Sequence, residues 1–239
     1  MKTMKIAFVP VVAAVTMLGM LSCADEAGNN PAPANRTTLN LQAATNKQPI
    51  SKAGRTAAVN NLVFTSGSIT FREVVFDADR ADTDQSISVT HEQIAVLDFA
   101  TGVITPAVNI KVPAGTYNDV YLGIEIQDEG DKPGIVIEGT YTNSDNVVKP
   151  IRFEFNSGEV FEAEADSVVL NENTNVVTRI TFDPQYWFAT ITASQLDNAT
   201  MTGGRILISA TSNVNIFSIV AERLDDRTEA DFDTEADSD

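Results

Sequence analysis

The chain has 239 residues, with 16 Lys and Arg against 33 Asp and Glu, one His and one Cys. A formal charge of −17 excludes a surface built for nucleic acid, whose affinity rests on Lys and Arg displacing counterions. A single Cys excludes an internal disulfide framework and any multi-cysteine zinc site, and a single His excludes a multi-histidine metal centre. At 43% hydrophobic, the composition supports a real core in one domain of ordinary size or two small ones.

At the N-terminus, Lys2 and Lys5 precede an apolar run over residues 6–21, broken only by Pro10, Thr16 and Gly19. This is a secretory signal peptide over residues 1–22, too short and abruptly ended for a membrane span, which needs about 20 apolar residues. The run ends Met20-Leu21-Ser22-Cys23, which resembles the lipobox of bacterial lipoproteins, although Met replaces the commoner Leu at its first position. The resemblance implies that the Cys23 thiol is lipidated, that the signal is cut before it, and that the new amino terminus is acylated with a palmitate-type chain. The alternative is a secreted protein whose Cys is incidental. Each buried CH₂ contributes about 0.8 kcal/mol, and stable attachment takes more than one chain, which a multiply acylated Cys supplies. Asp25 and Glu26 follow at once, resembling the acidic sorting signal of surface-exported lipoproteins in Bacteroidetes-type bacteria. The expected location is the outer membrane at the cell surface, with its periplasmic face as the alternative.

Residues 23–60 read as the lipidated Cys and a flexible tether, with Asn and Pro concentrated over residues 29–35. Within it, residues 37–42 alternate briefly and predict an edge-type strand. From Leu62 the period becomes two. Alternating or β-rich segments at 68–76, 86–90, 93–99, 103–111, 117–126, 135–142, 147–155, 159–164, 167–171, 175–182 and 205–211 predict strands. Turn residues separate them, as at 128–134, 143–146, 156–158 and 171–174. The expectation is an all-β antiparallel sandwich, immunoglobulin-like or transthyretin-like, over residues 61–225.

One or two short helices are expected late in the chain. Asp183 precedes Pro184 at a helix start carrying Tyr186, Trp187 and Phe188. Thr192 and Gln195 have capping-box spacing, and Asn215 is the expected cap of a last helix. Residues 226–239 read as an acidic, disordered tail.

Several of these segments together resemble a family. They are the Ser66-Gly67 turn before a strand ending Glu73-Val74-Val75-Phe76, the run Val112-Pro113-Ala114-Gly115-Thr116-Tyr117, the run Phe182-Asp183-Pro184-Gln185-Tyr186-Trp187-Phe188, and the closing Asn213-Val214-Asn215-Ile216-Phe217. They are similar to the uncharacterised β-sandwich lipoproteins of Bacteroidetes-type bacteria, in which a Pro-Ala-Gly-Thr-Tyr strand opening recurs. The likeness would cover residues 60–225; it implies a sandwich fold and brings no catalytic residue.

Few residues point to chemistry. Asp77, Asp79, Asp82 and Asp84 are spaced as a possible Ca²⁺ loop, since Ca²⁺ takes six to eight oxygens. However, Asp82 stands where an EF-hand needs Gly, Arg80 intrudes, and a solvated inter-strand loop is the preferred reading. Asp128, Glu129 and Asp131 make a second, weaker loop of that kind. His91 would serve as a general base only with Glu92 or Asp98 beside it, and it reads first as a strand-end residue. Tyr186 and Trp187 would form a sugar-stacking platform or, as preferred, a core plug. Asp166-Ser167-Val168 resembles an O-glycosylation acceptor. The expected function is therefore a non-enzymatic binding or adhesion module for a glycan or envelope protein, held to the membrane by its lipid. The alternatives are an assembly subunit that accepts an added β-strand and, more remotely, a carboxylate-based hydrolase.

Overall fold

The computed structural model describes residues 36–50, 61–224 and 230–234. Its strands are β1 (Arg36–Thr45), β2 (Asn61–Arg80), β3 (Ser86–Asp98), β4 (Ile104–Thr105), β5 (Asn109–Pro113), β6 (Gly115–Ile126), β7 (Ile135–Thr142), β8 (Val148–Phe155), β9 (Val160–Leu170), β10 (Asn175–Phe182), β11 (Met201–Thr202), β12 (Arg205–Ile208) and β13 (Ala230–Thr234). Three short helices accompany them: α1 (Pro184–Trp187), α2 (Ala193–Asp197) and α3 (Val214–Ala221).

The all-β sandwich expected from the sequence is present, built from two mixed sheets. The larger has β2 as its spine. Leu62, Phe64, Ile69, Phe71, Val74, Phe76 and Ala78 of β2 face inward. The alternation slips where the register shifts, between Phe64 and Ser66 and between Phe71 and Glu73. Relative to β7 and β6, β2 carries one extra residue at each of these places, which moves its apolar set back onto the core face. On one edge β2 pairs with β3; on the other, β7 takes its first half and β6 its second. β8 continues beyond β7 and β9 beyond β6.

The smaller sheet has the order β13-β10-β1-β5. Most pairings are antiparallel, but β1 runs parallel to β10 and β12 parallel to β8. A parallel pair needs a long connection between its strands, and here 129 residues separate the end of β1 from the start of β10. The inner faces share one core, and Phe161 of β9 meets Phe182 of β10 across it at 5.1 Å between ring centroids.

The Pro-Ala-Gly-Thr-Tyr run is where the chain passes from one sheet to the other, with Ala114 alone between β5 and β6. Buried Tyr117 donates its hydroxyl to the Pro113 carbonyl at 2.7 Å and meets Phe76 edge-on at 6.0 Å. Arg80 covers the Tyr117 ring at 5.5 Å and donates to the Ala114 carbonyl at 3.2 Å. These bonds satisfy the polar groups that a sharp crossing strips from the ladder. The motif is thus a structural corner.

Four expectations are corrected. β1 is an interior strand of its sheet, not an edge, and it lies within the span read as tether, where Ile50 also bridges to Leu62. The span read as a disordered tail contains β13, which pairs with β10. The paired segments 86–90 with 93–99, and 159–164 with 167–171, are each one continuous strand. The last helix is preceded by Asn213, not Asn215; Asn213 is left-handed at φ 50°, and its amide bonds to the Thr200 and Leu207 carbonyls instead of capping. The Asp183 cap and the Thr192–Gln195 capping box form as expected. The signal peptide, Cys23, residues 24–35 and 51–60, and the rest of the acidic tail lie outside the described residues.

Candidate functional site

The four aspartates do not form one loop. Asp77 and Asp79 lie on the last residues of β2, and Asp82 and Asp84 in the turn to β3. Asp79 accepts a hydrogen bond from Ser86 Oγ at 2.6 Å, and Asp82 is 4.0 Å from Arg80. Among the described residues, no group of three or more His, Cys, Asp or Glu is placed to hold a metal ion.

His91 points inward from β3 and its Nε2 pairs with Gln93 Oε1 at 2.9 Å. Strand alternation puts Glu92 on the opposite face. The Asp98 carboxylate is occupied by the Thr101 backbone N–H at 2.8 Å and hydroxyl at 3.0 Å, which hold it below the usual carboxylate range. The base and acid that the sequence offered are therefore not brought together.

Trp187 is 2% exposed and lies 6.2 Å from Phe161, so its indole offers no open stacking face. Phe188 packs against Phe64 at 4.9 Å and Phe153 at 5.7 Å. Tyr186 is half-buried under the Arg223 guanidinium at 4.4 Å. The aromatic run is a core plug. A polar hollow of about 400 Å³ nearby has Gln195, Asn198 and Asn213 in its lining. Those amides already bond within the fold, to Thr192, Ser194 and Thr200 respectively. Ser167 of the glycosylation-like triplet is exposed on β9, paired with Asn118.

What the structure does expose is a strand edge. Beyond β2, β3 pairs only with β4, at Val96 and Leu97. At residues 93 and 94 two residues of β3 stand opposite Arg72. Residues 86–92 are thus a regular strand with one edge unpaired by any described residue. Proteins guard such edges with charge, Lys, Pro or a cover. The β5 edge carries Lys111 and Pro113, and β9 carries Glu162, Glu164 and Asp166 with β13 running close to it. Residues 86–92 read Ser-Ile-Ser-Val-Thr-His-Glu and hold one charge, with no Lys or Pro.

The sheet face beside this edge is acidic. Glu92 lies directly opposite Glu73, which lies opposite Glu125 on β6. Asp77 comes four residues further along, opposite Tyr121, and one of its carboxylate oxygens is buried without a partner. The nearby cation, Arg72, is spent on Glu125, Asp128 and Glu129 at 3.5–3.6 Å. At the bulge, a hollow of about 280 Å³ opens between Arg72, Glu73, Glu92, Ile94, Gln127 and Glu129.

Tyr121 donates to Glu162 at 3.0 Å; burial first, then that bond and the charges of Glu162, Asp77 and Glu164, push its phenol up to about 12. A phenol that holds its proton longer when folded contributes stability in full below its unfolded pKa near 10. That contribution is lost as pH rises from there towards 12. Tyr121→Phe should therefore remove a late-titrating phenolate from the absorbance titration and flatten part of the alkaline fall in stability. A loss of absorbance near pH 10 in place of the late one would show that Tyr121 ionises as in water.

No family model, curated protein or solved structure matches the chain. Glu73 is not singled out by the sequence, and Glu92 only as a neighbour of His91. The signal was present: hairpin partners in β2 and β3 lie equally far from the turn at residues 81–84, so placing that turn pairs the two glutamates.

Proposed function

We propose that this is a non-enzymatic, lipid-anchored protein of the bacterial outer membrane that binds another envelope protein by accepting a strand on the open edge of β3. The edge carries the reading. Backbone N–H and C=O groups along it lack partners among the described residues, and an added strand satisfies them while its alternate side chains set specificity. Half-buried Ile87 and Val89 on the inner face give that strand apolar surface to cover. The anchor rests on Cys23 at the end of the apolar N-terminal run, and surface display on Asp25 and Glu26 after it. No helix among the described residues is long and apolar enough to cross a membrane.

Two measurements test this. Cys23→Ala should move the protein from the membrane to the soluble fraction, and continued membrane association refutes the lipid anchor. In amide hydrogen exchange, alternate residues of the 86–92 segment should exchange fast, while Val74 to Ala78 of β2, flanked by β3 and β6, stay protected. Uniform protection across β3 would mean that its edge is covered and would overturn the binding reading.

A further inference from the structure

Resting on that reading, we propose that the segment docking on β3 is an extended stretch of an envelope protein with lysine or arginine on its outer face and apolar residues on its inner face, one cationic side chain seating in the hollow beside Glu73 and Glu92.

The charge arrangement selects this partner. Glu73 and Glu92 are directly opposite each other, where Cβ atoms stand about 4.5–5.5 Å apart and like charges repel. Neither has a basic partner among the described residues. A cation on a strand beyond β3 becomes the next cross-strand neighbour of Glu92 and relieves that repulsion. It enters a hollow whose other acid, Glu129, is held only at 3.6 Å from Arg72 and is 74% exposed. The same position suits a long cationic side chain better than a bare ion, because the carboxylates are not gathered closely enough to ligate one. On the inner face, the half-buried Ile87 and Val89 call for apolar neighbours on the partner.

A second copy of this chain is the poorer occupant. Residues 86–95 contain no Lys or Arg, so a second β3 brings another Glu92 and no cation, on a molecule already carrying −17. The length also fits. The regular edge of residues 86–92 is about 23 Å long at roughly 3.3 Å per residue, and it ends at the hollow.

The test uses the full chain in detergent and a seven-residue peptide alternating lysine and valine, its glutamate counterpart, and two lysine peptides N-methylated at alternate backbone nitrogens. The lysine peptide should bind, and the glutamate peptide should bind at least tenfold more weakly. One of the two N-methylated forms, the one with methyls towards β3, should lose binding while the other keeps it. Glu92→Gln and Glu73→Gln should each weaken the lysine peptide about threefold, as exposed ion pairs do, and should leave the melting temperature unchanged or raised. If lysine and glutamate peptides bind alike yet one N-methyl pattern abolishes both, the edge stands and the basic partner is wrong. If both N-methylated forms bind like the parent, the peptide merely coats an acidic surface, and edge and partner fall together. No binding at millimolar peptide overturns the basic partner while hydrogen exchange still reports on the edge. A concentration-dependent dimer with β3 amides protected would assign the edge to a second copy and overturn the proposal.

Discussion

Gly139→Ala is expected to destabilise the fold by about 3 kcal/mol or more, at the upper end of what overpacking costs. A Cβ at Gly139 would lie 1.8 Å from the Val63 carbonyl oxygen and 2.8 Å from the Phe64 Cα. Both are backbone atoms of β2, so no side chain can rotate aside. β7 cannot retreat either, because β8 is bonded along its other edge, with Ile151 opposite Gly139. Gly139 pairs with Phe64, directly beside the register shift that separates Phe64 from Ser66. Against a typical total of about 5–15 kcal/mol, such a loss is a large share. Urea unfolding should show a lower midpoint at an unchanged slope, since the exposed surface is the same. A loss below about 0.5 kcal/mol, the ordinary range of surface changes, would show that β2 and β7 can part without cost. The consequence reaches the binding edge: β3 hangs on β2, and a displaced β2 would loosen residues 86–92.

Much of this architecture is local and was therefore readable in the sequence. β7 and β10 have the bounds expected of them, because turn residues at 134, 143–146 and 171–174 isolate two clean alternating runs. The sequence splits β3 at His91 and Glu92 because a polar residue interrupts the inward apolar set; at a sheet edge the His91 position is only half-buried, so a polar residue is tolerated there. The interior place of β1 depends on a parallel partner more than a hundred residues away, which no local pattern encodes. β13 alternates Ala230, Phe232 and Thr234 with Asp231 and Asp233, but the surrounding acids masked that period. The candidate site divides the same way. The aromatic plug was legible from three adjacent rings after Asp-Pro. The open edge was not, because an edge is defined by the strand that fails to arrive.

Trp187→Ala should cost about 3–5 kcal/mol, the usual price of deleting a large buried aromatic. The indole is 2% exposed and contacts Phe161, which in turn meets Phe182 edge-on, so its loss opens a cavity where the two sheets join. Trp187→Phe keeps most of that volume and should lose clearly less. Tyr186→Ala, on the rim, removes a half-buried ring and its cation–π contact with Arg223, worth about 0.5–1 kcal/mol at an exposed site. The ordering Trp187 well above Tyr186 distinguishes a plug from a ligand platform, in which both rings would matter for binding and neither much for stability. Because Trp187 is the only Trp, the protein reports on itself. Its emission should be blue-shifted and poorly quenched by iodide in the native state, and should shift red along the same transition that denaturant unfolding follows. Strong iodide quenching of the folded protein, together with a Trp187→Ala variant of unchanged stability, would return the indole to the surface and reopen a glycan-stacking role.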